Sequence, residues 1–224
     1  MGLEENVKII RQKIAEAASD SGRRAGDIML IAASKAQTPE SIKRAQQAGI
    51  QNFGENYVQE FVEKYGMIPE VHWHFIGQLQ SNKVKYIVDK ITMIESVDRL
   101  SLAREIDKRA EGLGRKIDAL LQINIGGEAQ KGGADPRETR RMLDALLEFP
   151  NINICGLMCI HPLTKTPAEA KPYFAGMKKI FDDMNALGYN MKYLSMGMSG
   201  DYDTAIREGA NIVRVGSLIF GPRQ

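Results

Sequence analysis

The sequence is short of cysteine, of net charge and of long apolar runs, and each shortage excludes a class of function. Only two cysteines, Cys155 and Cys159, occur in 224 residues. Both fall on one apolar run, NINICGLMCI, that reads as a strand, where two side chains are badly placed for a mutual disulfide. That favours free thiols in a reducing compartment. A C-x3-C pair needs more ligands to hold a metal and none stands nearby, so both cysteines read as small core residues. The formal net charge is +2, too small to argue for a nucleic-acid partner. The basic pairs Arg23-Arg24, Arg140-Arg141 and Lys178-Lys179 are scattered over what read as solvated helix faces. No apolar run approaches the roughly 20 residues of a membrane span. The N-terminus carries no apolar signal core, so the expectation is a cytoplasmic protein without a membrane partner. Linkers, low-complexity segments and internal repeats are missing too.

What is present is an ordinary globular composition, 43% hydrophobic and 26% charged, with a regular alternation of periods. An amphipathic helix runs from about Leu3 to Ser21, with Val7, Ile10, Ile14, Ala17 and Ala18 on one face. A strand from Ile28 to Lys35 follows, then a helix from Pro39 to Ala48 with Thr38 as N-cap and Gly49 as its stop. QNFGEN reads as a strand and Tyr57 to Tyr65 as a helix. VHWHFIG is a strand, followed by a helix from Ser81 to about Asp89. TMIESV is a strand, Arg99 to Glu111 a helix, and KIDALLQINI a long strand. Glu138 to Leu147 is a helix with Pro136 near its first turn. NINICGLMCI is a strand and Ala168 to Leu187 a long helix. The stretch LSMGMSGDYDTAIREGANIVRVGSLIFG, from Leu194 to Gly221, adds strand, turn, helix, strand, turn and a last short helix. Eight βα units after one extra N-terminal helix predict an α/β fold, a single (β/α)8 TIM barrel spanning residues 1–224. The alternative, an open Rossmann-like sheet, lacks a G-x-G-x-x-G after its first strand.

In such a barrel, polar residues at the C-terminal ends of strands read as functional. Two small-residue turns follow the last two strands, one carrying Ser199 and Gly200, the other Gly216 and Ser217. Exposed N–H groups there suit an anion, and neighbouring turns would form a phosphate cup. Lys35 ends the first strand, next to the eighth in barrel order. From position alone it either enters the apolar mouth as a nucleophilic amine or caps the strand and faces solvent. Arg214 ends the eighth strand. An amine, a guanidinium and a phosphate cup together suit a ligand with an aldehyde, a ring heteroatom and a phosphate, and pyridoxal 5′-phosphate has all three. His72 and His74 flank Trp73; a metal pair lacks a partner at a convincing spacing, so a core or mouth-lining role is expected. Lys83 and Lys85 either attract an anionic ligand or are solvated. Met191, Met196 and Met198 read as core filler and pocket lining.

The motifs IAASK, FGENYVQE (Phe53 to Glu60), WHFIGQLQSNK (Trp73 to Lys83), LSMGMSGD (Leu194 to Asp201) and VRVGSLIFGPR (Val213 to Arg223) occur in order. On them the sequence resembles the YggS/PROSC family of pyridoxal phosphate homeostasis proteins over nearly its whole length. The resemblance implies the barrel of the alanine racemase N-terminal domain. It implies Lys35 holding the cofactor as an internal aldimine, phosphate contacts from Ser199, Gly200, Gly216 and Ser217, and Arg214 facing the pyridine nitrogen. Asn56 would lie near the ring and His74 at the border of the pocket. Ser217 departs from the usual threonine but keeps the hydroxyl. His161 stands where an apolar or proline residue is commoner, with no role assigned.

The expectation is therefore a non-catalytic protein that buffers or delivers pyridoxal phosphate, with recipient apo-enzymes as partners. Racemisation needs an acid and a base on opposite faces of the substrate carbon. In alanine racemase the second is a tyrosine from an extra β-domain of the partner subunit, and this chain stops at Gln224, just after the eighth unit. A monomer is expected for the same reason. The alternative is an amino-acid racemase or decarboxylase on a minimal barrel, with Tyr57 or His161 as the opposing acid. A phosphosugar aldolase using the same lysine is a third reading.

Overall fold

Residues 2–68, 70–128 and 131–221 are described by the computed structural model. Pro222 and Arg223, the end of the last sequence motif, lie outside them. Helix α1 (Leu3–Asp20) buries Val7, Ile10, Ile14 and Ala17 along one side, as an amphipathic surface helix does. The chain then alternates: β1 (Met29–Ala33), α2 (Pro39–Gln47), β2 (Asn52–Glu55), α3 (Val58–Tyr65), β3 (His72–Phe75) and β4 (Met93–Val97). It continues with α4 (Leu100–Glu111), β5 (Ile117–Ile123), α5 (Thr139–Leu146), β6 (Ile152–Cys159) and α6 (Pro167–Ala186). The last elements are β7 (Tyr193–Ser195), α7 (Tyr202–Arg207), β8 (Ile212–Val215) and α8 (Ser217–Phe220). All eight strands pair in parallel and in sequence order, and β8 closes on β1. The expected (β/α)8 barrel with an added N-terminal helix is what the chain forms.

Local chemistry sets the boundaries. Thr38 caps α2 by accepting from Ser41 N, and Gly49 leaves the helix at φ +89°, where a glycine carries no Cβ penalty. Between β3 and β4 the expected α-helix is a 3-10 segment, Ser81–Tyr86. Buried Val84 and Ile87 are three residues apart, the repeat that a 3-10 turn stacks on one side. The first turn before α5 is likewise 3-10, Pro136–Glu138, because the Asp135 side chain accepts from Arg137 N at 2.8 Å.

Two apolar layers result. Outside the strands, Phe53, Phe61 and Trp73 form a contiguous aromatic group under α3, with centroids 5.9 and 5.7 Å apart. Inside the barrel, Ile31, Met93, Leu120, Cys155, Met158 and Ile212 fill the lower tube. Gly54 must stay small, since a Cβ there would lie 2.9 Å from Ile31 Cγ2. A register shift in the β5–β6 pairing lets Ala119 oppose Ile154 and Leu120 oppose Gly156. Cys155 is the extra residue of this bulge, which re-aims one side chain. It therefore packs in the inner cluster while Cys159 packs in the outer one.

Helix α1 packs against α2, α7 and α8. Asn6 Nδ2 donates to Ile219 O at 3.1 Å, so the first helix holds the element that follows β8. Among the described residues, no helix is long and apolar enough to cross a membrane.

Burial pushes both thiols up to about 12. A disulfide reagent at neutral pH should leave the native protein unlabelled and titrate two thiols after unfolding. The sign for stability follows: between the unfolded value, about 8.5, and the folded one, the unfolded chain loses protons first. The thiols' contribution should therefore fall as pH rises through that window, read as a falling urea midpoint.

Candidate functional site

The sequence ends β1 at Lys35, but the strand stops at Ala33. Ser34 N still donates to Gly54 O at 2.9 Å, and Gln37 N then turns back to Ser34 O at 3.0 Å. Ala36 sits at φ +59°, a left-handed conformation uncommon for a residue with a Cβ. Lys35 is thus on a tight turn, and strand alternation does not decide where its side chain goes. The turn still delivers it to the mouth. A cleft of about 250 Å³ is lined by Ala33, Lys35, Arg214 and both Gly-Ser turns, Ser199-Gly200 and Gly216-Ser217. Met198 completes one wall.

The two turns are tied together, since Gly216 N donates to Ser199 Oγ at 3.1 Å. A Cβ on Gly216 would stand 3.2 Å from Ala33 O, so a side chain there would fill the gap between the first and last loops. The N–H groups of Ser199, Gly200, Ser217 and Leu218 pair with no acceptor among the described residues. The charged groups on the cleft walls, among the described residues, are one amine and one guanidinium. Such a site can hold an anion by backbone and hydroxyl donors with an amine nearby.

Arg214 is only 5% exposed. Its Nη2 donates to Cys159 O at 2.8 Å and its Nη1 to Ser195 Oγ. Ser195 passes the contact on by donating to Glu95 Oε2 at 2.6 Å. The other oxygen, Glu95 Oε1, lies 2.9 Å from His74 Nδ1. Arg214 Nη1 is itself 3.8 Å from Glu95. A chain of polar groups, His74–Glu95–Ser195–Arg214, therefore crosses the barrel above its apolar floor. Burial alone would raise the Glu95 carboxyl. The hydrogen bond and charge of His74, with Arg214 and Ser195, outweigh it and hold the group below the ordinary carboxylate range. Sequence reading missed Glu95 and Ser195. A carboxylate inside TMIESV, flanked by apolar residues on a buried strand, was the available signal.

His74 is in that chain rather than on the cleft wall. Asn56 lines a neighbouring cleft of about 440 Å³ with Tyr57, Phe75, Gln78, Gln80 and Lys83. Its backbone forces Gly77, whose Cβ would meet Asn56 O at 2.2 Å. Lys83 and Lys85 both lie over the Tyr86 ring, 5.7 and 5.0 Å from its centroid. His72 is exposed and His74 buried, and among the described residues no group of His, Cys, Asp or Glu is placed to hold a metal ion.

His161 has a structural partner set. Its Nε2 lies 2.8 Å from Asp201 Oδ2 and its Nδ1 2.6 Å from Pro162 O, while Tyr173 and Phe174 enclose the ring. Asp201 Oδ1 accepts from Met198 N at 2.7 Å. The histidine thus braces the Ser199-Gly200 turn from behind and has no free nitrogen to turn on a ligand. Tyr57 is 59% exposed and faces the other cleft.

Removing one member of a buried charge network leaves another uncompensated. Glu95→Ala should cost about 3–5 kcal/mol in urea unfolding. Because folding lowers this carboxyl, its contribution should be complete above the ordinary value of about 4.3 and be lost as pH falls below it. An acid-unfolding midpoint that Glu95→Gln leaves unmoved would contradict this.

Residues 3–224 match the family model described as "Alanine racemase, N-terminal domain". The Pyridoxal phosphate homeostasis protein of Aquifex aeolicus is 41% identical over 224 residues, covering 98% of each chain. Two solved structures are similar over most of their length. The crystal structure of an unknown protein from Bifidobacterium adolescentis superposes with TM-score 0.91 at 34% identity, covering 97% of this chain and 94% of its own. PipY of Synechococcus elongatus PCC7942, with PLP bound, superposes with TM-score 0.81 at 37% identity, covering 93% of this chain and 100% of its own. The family match over residues 3–224 and the 41% identity over nearly the full length lead to one assignment: the chain belongs to the alanine racemase N-terminal domain family, among its pyridoxal phosphate homeostasis proteins.

Proposed function

We propose that the chain binds pyridoxal 5′-phosphate, holds it through Lys35 and passes it on, with no substrate of its own. The observation that carries this reading is the placement of Lys35 on the same small cleft as both Gly-Ser turns. The Aquifex aeolicus relative named for pyridoxal phosphate homeostasis and the PipY structure with PLP bound support it. When bound, the cofactor supplies an aldehyde that bonds reversibly to amines and a phosphate that anchors it.

The residues present fit that group. Ser199, Gly200 and Ser217 offer backbone N–H groups, and Ser199 and Ser217 hydroxyls, to a phosphate, while Gly216, whose N–H is taken by Ser199 Oγ, keeps the cleft open beside them. Arg214, pinned by Ser195 and Cys159 O, presents a fixed positive charge to the ring. Set against the ring nitrogen, such a guanidinium would donate a hydrogen bond without giving up a proton, and would leave the ring a weak electron sink. Proton transfer on two faces of a carbon needs two acid–base groups. The described cleft lining offers Lys35 alone for that work, and both nitrogens of His161 are already engaged. These features support binding and transfer over racemisation or decarboxylation. The chain is further proposed to act as a monomer, which sedimentation can check.

Mixed with pyridoxal phosphate, the protein should turn yellow, and borohydride should fix a pyridoxyl group on Lys35, located by peptide mass. Lys35→Ala should lose the colour. A label on another lysine would overturn the assignment. Exchange of the alanine α-hydrogen in D2O should stay far below about 1 s⁻¹, the low end of ordinary turnover. Exchange at enzyme rates would overturn the non-catalytic reading.

The two hydroxyls give a second check. Ser199→Ala and Ser217→Ala should each weaken pyridoxal phosphate binding about tenfold, the worth of a hydrogen bond to a charged group. Both should leave pyridoxal, which lacks the phosphate, unchanged.

A further inference from the structure

Motif FGENYVQE holds two carboxylates that neither the cleft nor the barrel's inner polar chain uses. Both meet one lysine. Lys64, on α3, has a side chain only 7% exposed. Its ammonium donates to Glu55 Oε1, to Glu60 Oε2 and to Ser34 O, each at 2.8 Å. Ser34 Oγ donates to the same Glu55 oxygen at 2.6 Å. Glu60 Oε2 also accepts from Ala36 N at 2.8 Å. Every donor of Lys64 is thus used, and the cluster grips the backbone at Ser34 and at Ala36. Those are the two neighbours of Lys35.

As a stabilising device this cluster is a poor choice. Burying an ammonium with two carboxylates costs desolvation that apolar side chains of similar volume avoid. One carboxylate oxygen, Glu55 Oε2, is buried without a partner. Burial pushes the Glu55 carboxyl up despite the lysine beside it. What the cluster does achieve is geometric. It holds Ala36 at φ +59°, a conformation unfavourable for a residue with a Cβ that persists only where its surroundings enforce it. The direction in which Lys35 leaves the backbone follows from that turn. Glu60 feels the result: besides Lys64 and the Ala36 N–H, the charge of Lys35 helps hold its carboxyl low against burial.

We infer that Lys64, acting through Glu60 and Glu55, is a positioning residue that aims the Lys35 amine into the cleft. The inference rests on the reading that Lys35 is the point of cofactor attachment. In the reaction used to test it, Lys35 Nζ bonds to the aldehyde carbon with loss of water, and borohydride reduces that bond to a stable secondary amine.

The test measures the rate at which cofactor-stripped protein acquires a borohydride-stable pyridoxyl group on Lys35. Inorganic phosphate affinity is measured in parallel. If the unaltered protein never labels at Lys35, the attachment reading itself fails, whatever the variants do. If it does label, Lys64→Met and Glu60→Ala should label at least tenfold more slowly, with phosphate affinity within twofold of the parent. Glu60→Gln retains an acceptor for Ala36 N and should recover most of the rate. Glu60 is 30% exposed, so its two variants decide the matter alone if Lys64→Met does not fold. Labelling by Glu60→Ala within twofold of the parent, or a loss that phosphate affinity matches, would overturn the inference.

Discussion

Backbone pairing of Ala32 with Val215 joins the first strand to the last and brings two loops out at one height. Everything at the mouth depends on that closure. Residues 35 and 217 are far apart in sequence, yet the register fixes how far above the seam each loop begins. Parallel pairing around the ring makes every βα turn emerge on the same face. The cleft is therefore a product of barrel closure, with local turn chemistry supplying only its lining.

Two buried ionic clusters brace the cleft, and they divide the labour. One lies inside the tube and pins Arg214 through Ser195 and Glu95. The other lies outside β1 and grips the turn around Lys35 through Lys64. Neither is an economical way to stabilise a barrel, since charges pay desolvation that Ile31 or Met158 avoid. Each fixes the backbone or side chain of a residue on the cleft wall. A third brace, His161 on Asp201, does the same for the Ser199-Gly200 turn. Two loops at the mouth and the Arg214 side chain of β8 are thus held from behind by groups that do not themselves line the cleft.

How much of this could be read from the chain depends on the range of the interaction. Period and turn chemistry are local, so the alternation, the capped α2 helix and the Gly-Ser turns were legible. Barrel order then put Lys35, Arg214 and both turns together without any coordinate. The direction of Lys35 is not set by strand alternation, because the strand ends at Ala33 and a tight turn with a left-handed Ala36 takes over. Nothing in IAASK signals that turn; it is imposed by Lys64, 29 positions on. The segment Ser81–Tyr86 winds as a 3-10 helix because Val84 and Ile87 answer to the core beneath them. The carboxylates Glu55, Glu60 and Glu95 carry no pattern of their own, and only their partners across the fold give them meaning. His74 and Asn56 sit in the motifs that carry the resemblance, yet one lies in the barrel interior and the other on the adjoining cleft.

The seam between β7 and β8 differs from its neighbours. It pairs Ser195 with Ile212 in register and then passes into loop contacts, with Arg214 N donating to Gly197 O at 3.1 Å and Gly216 N to Ser199 Oγ at 3.1 Å. The ladder thus runs out just where the two Gly-Ser turns begin. An anion gripped by both turns would complete that fastening, so occupancy and local breathing of this edge form a single equilibrium. Amide exchange along Gly197 to Gly200 would then slow when an anion is bound.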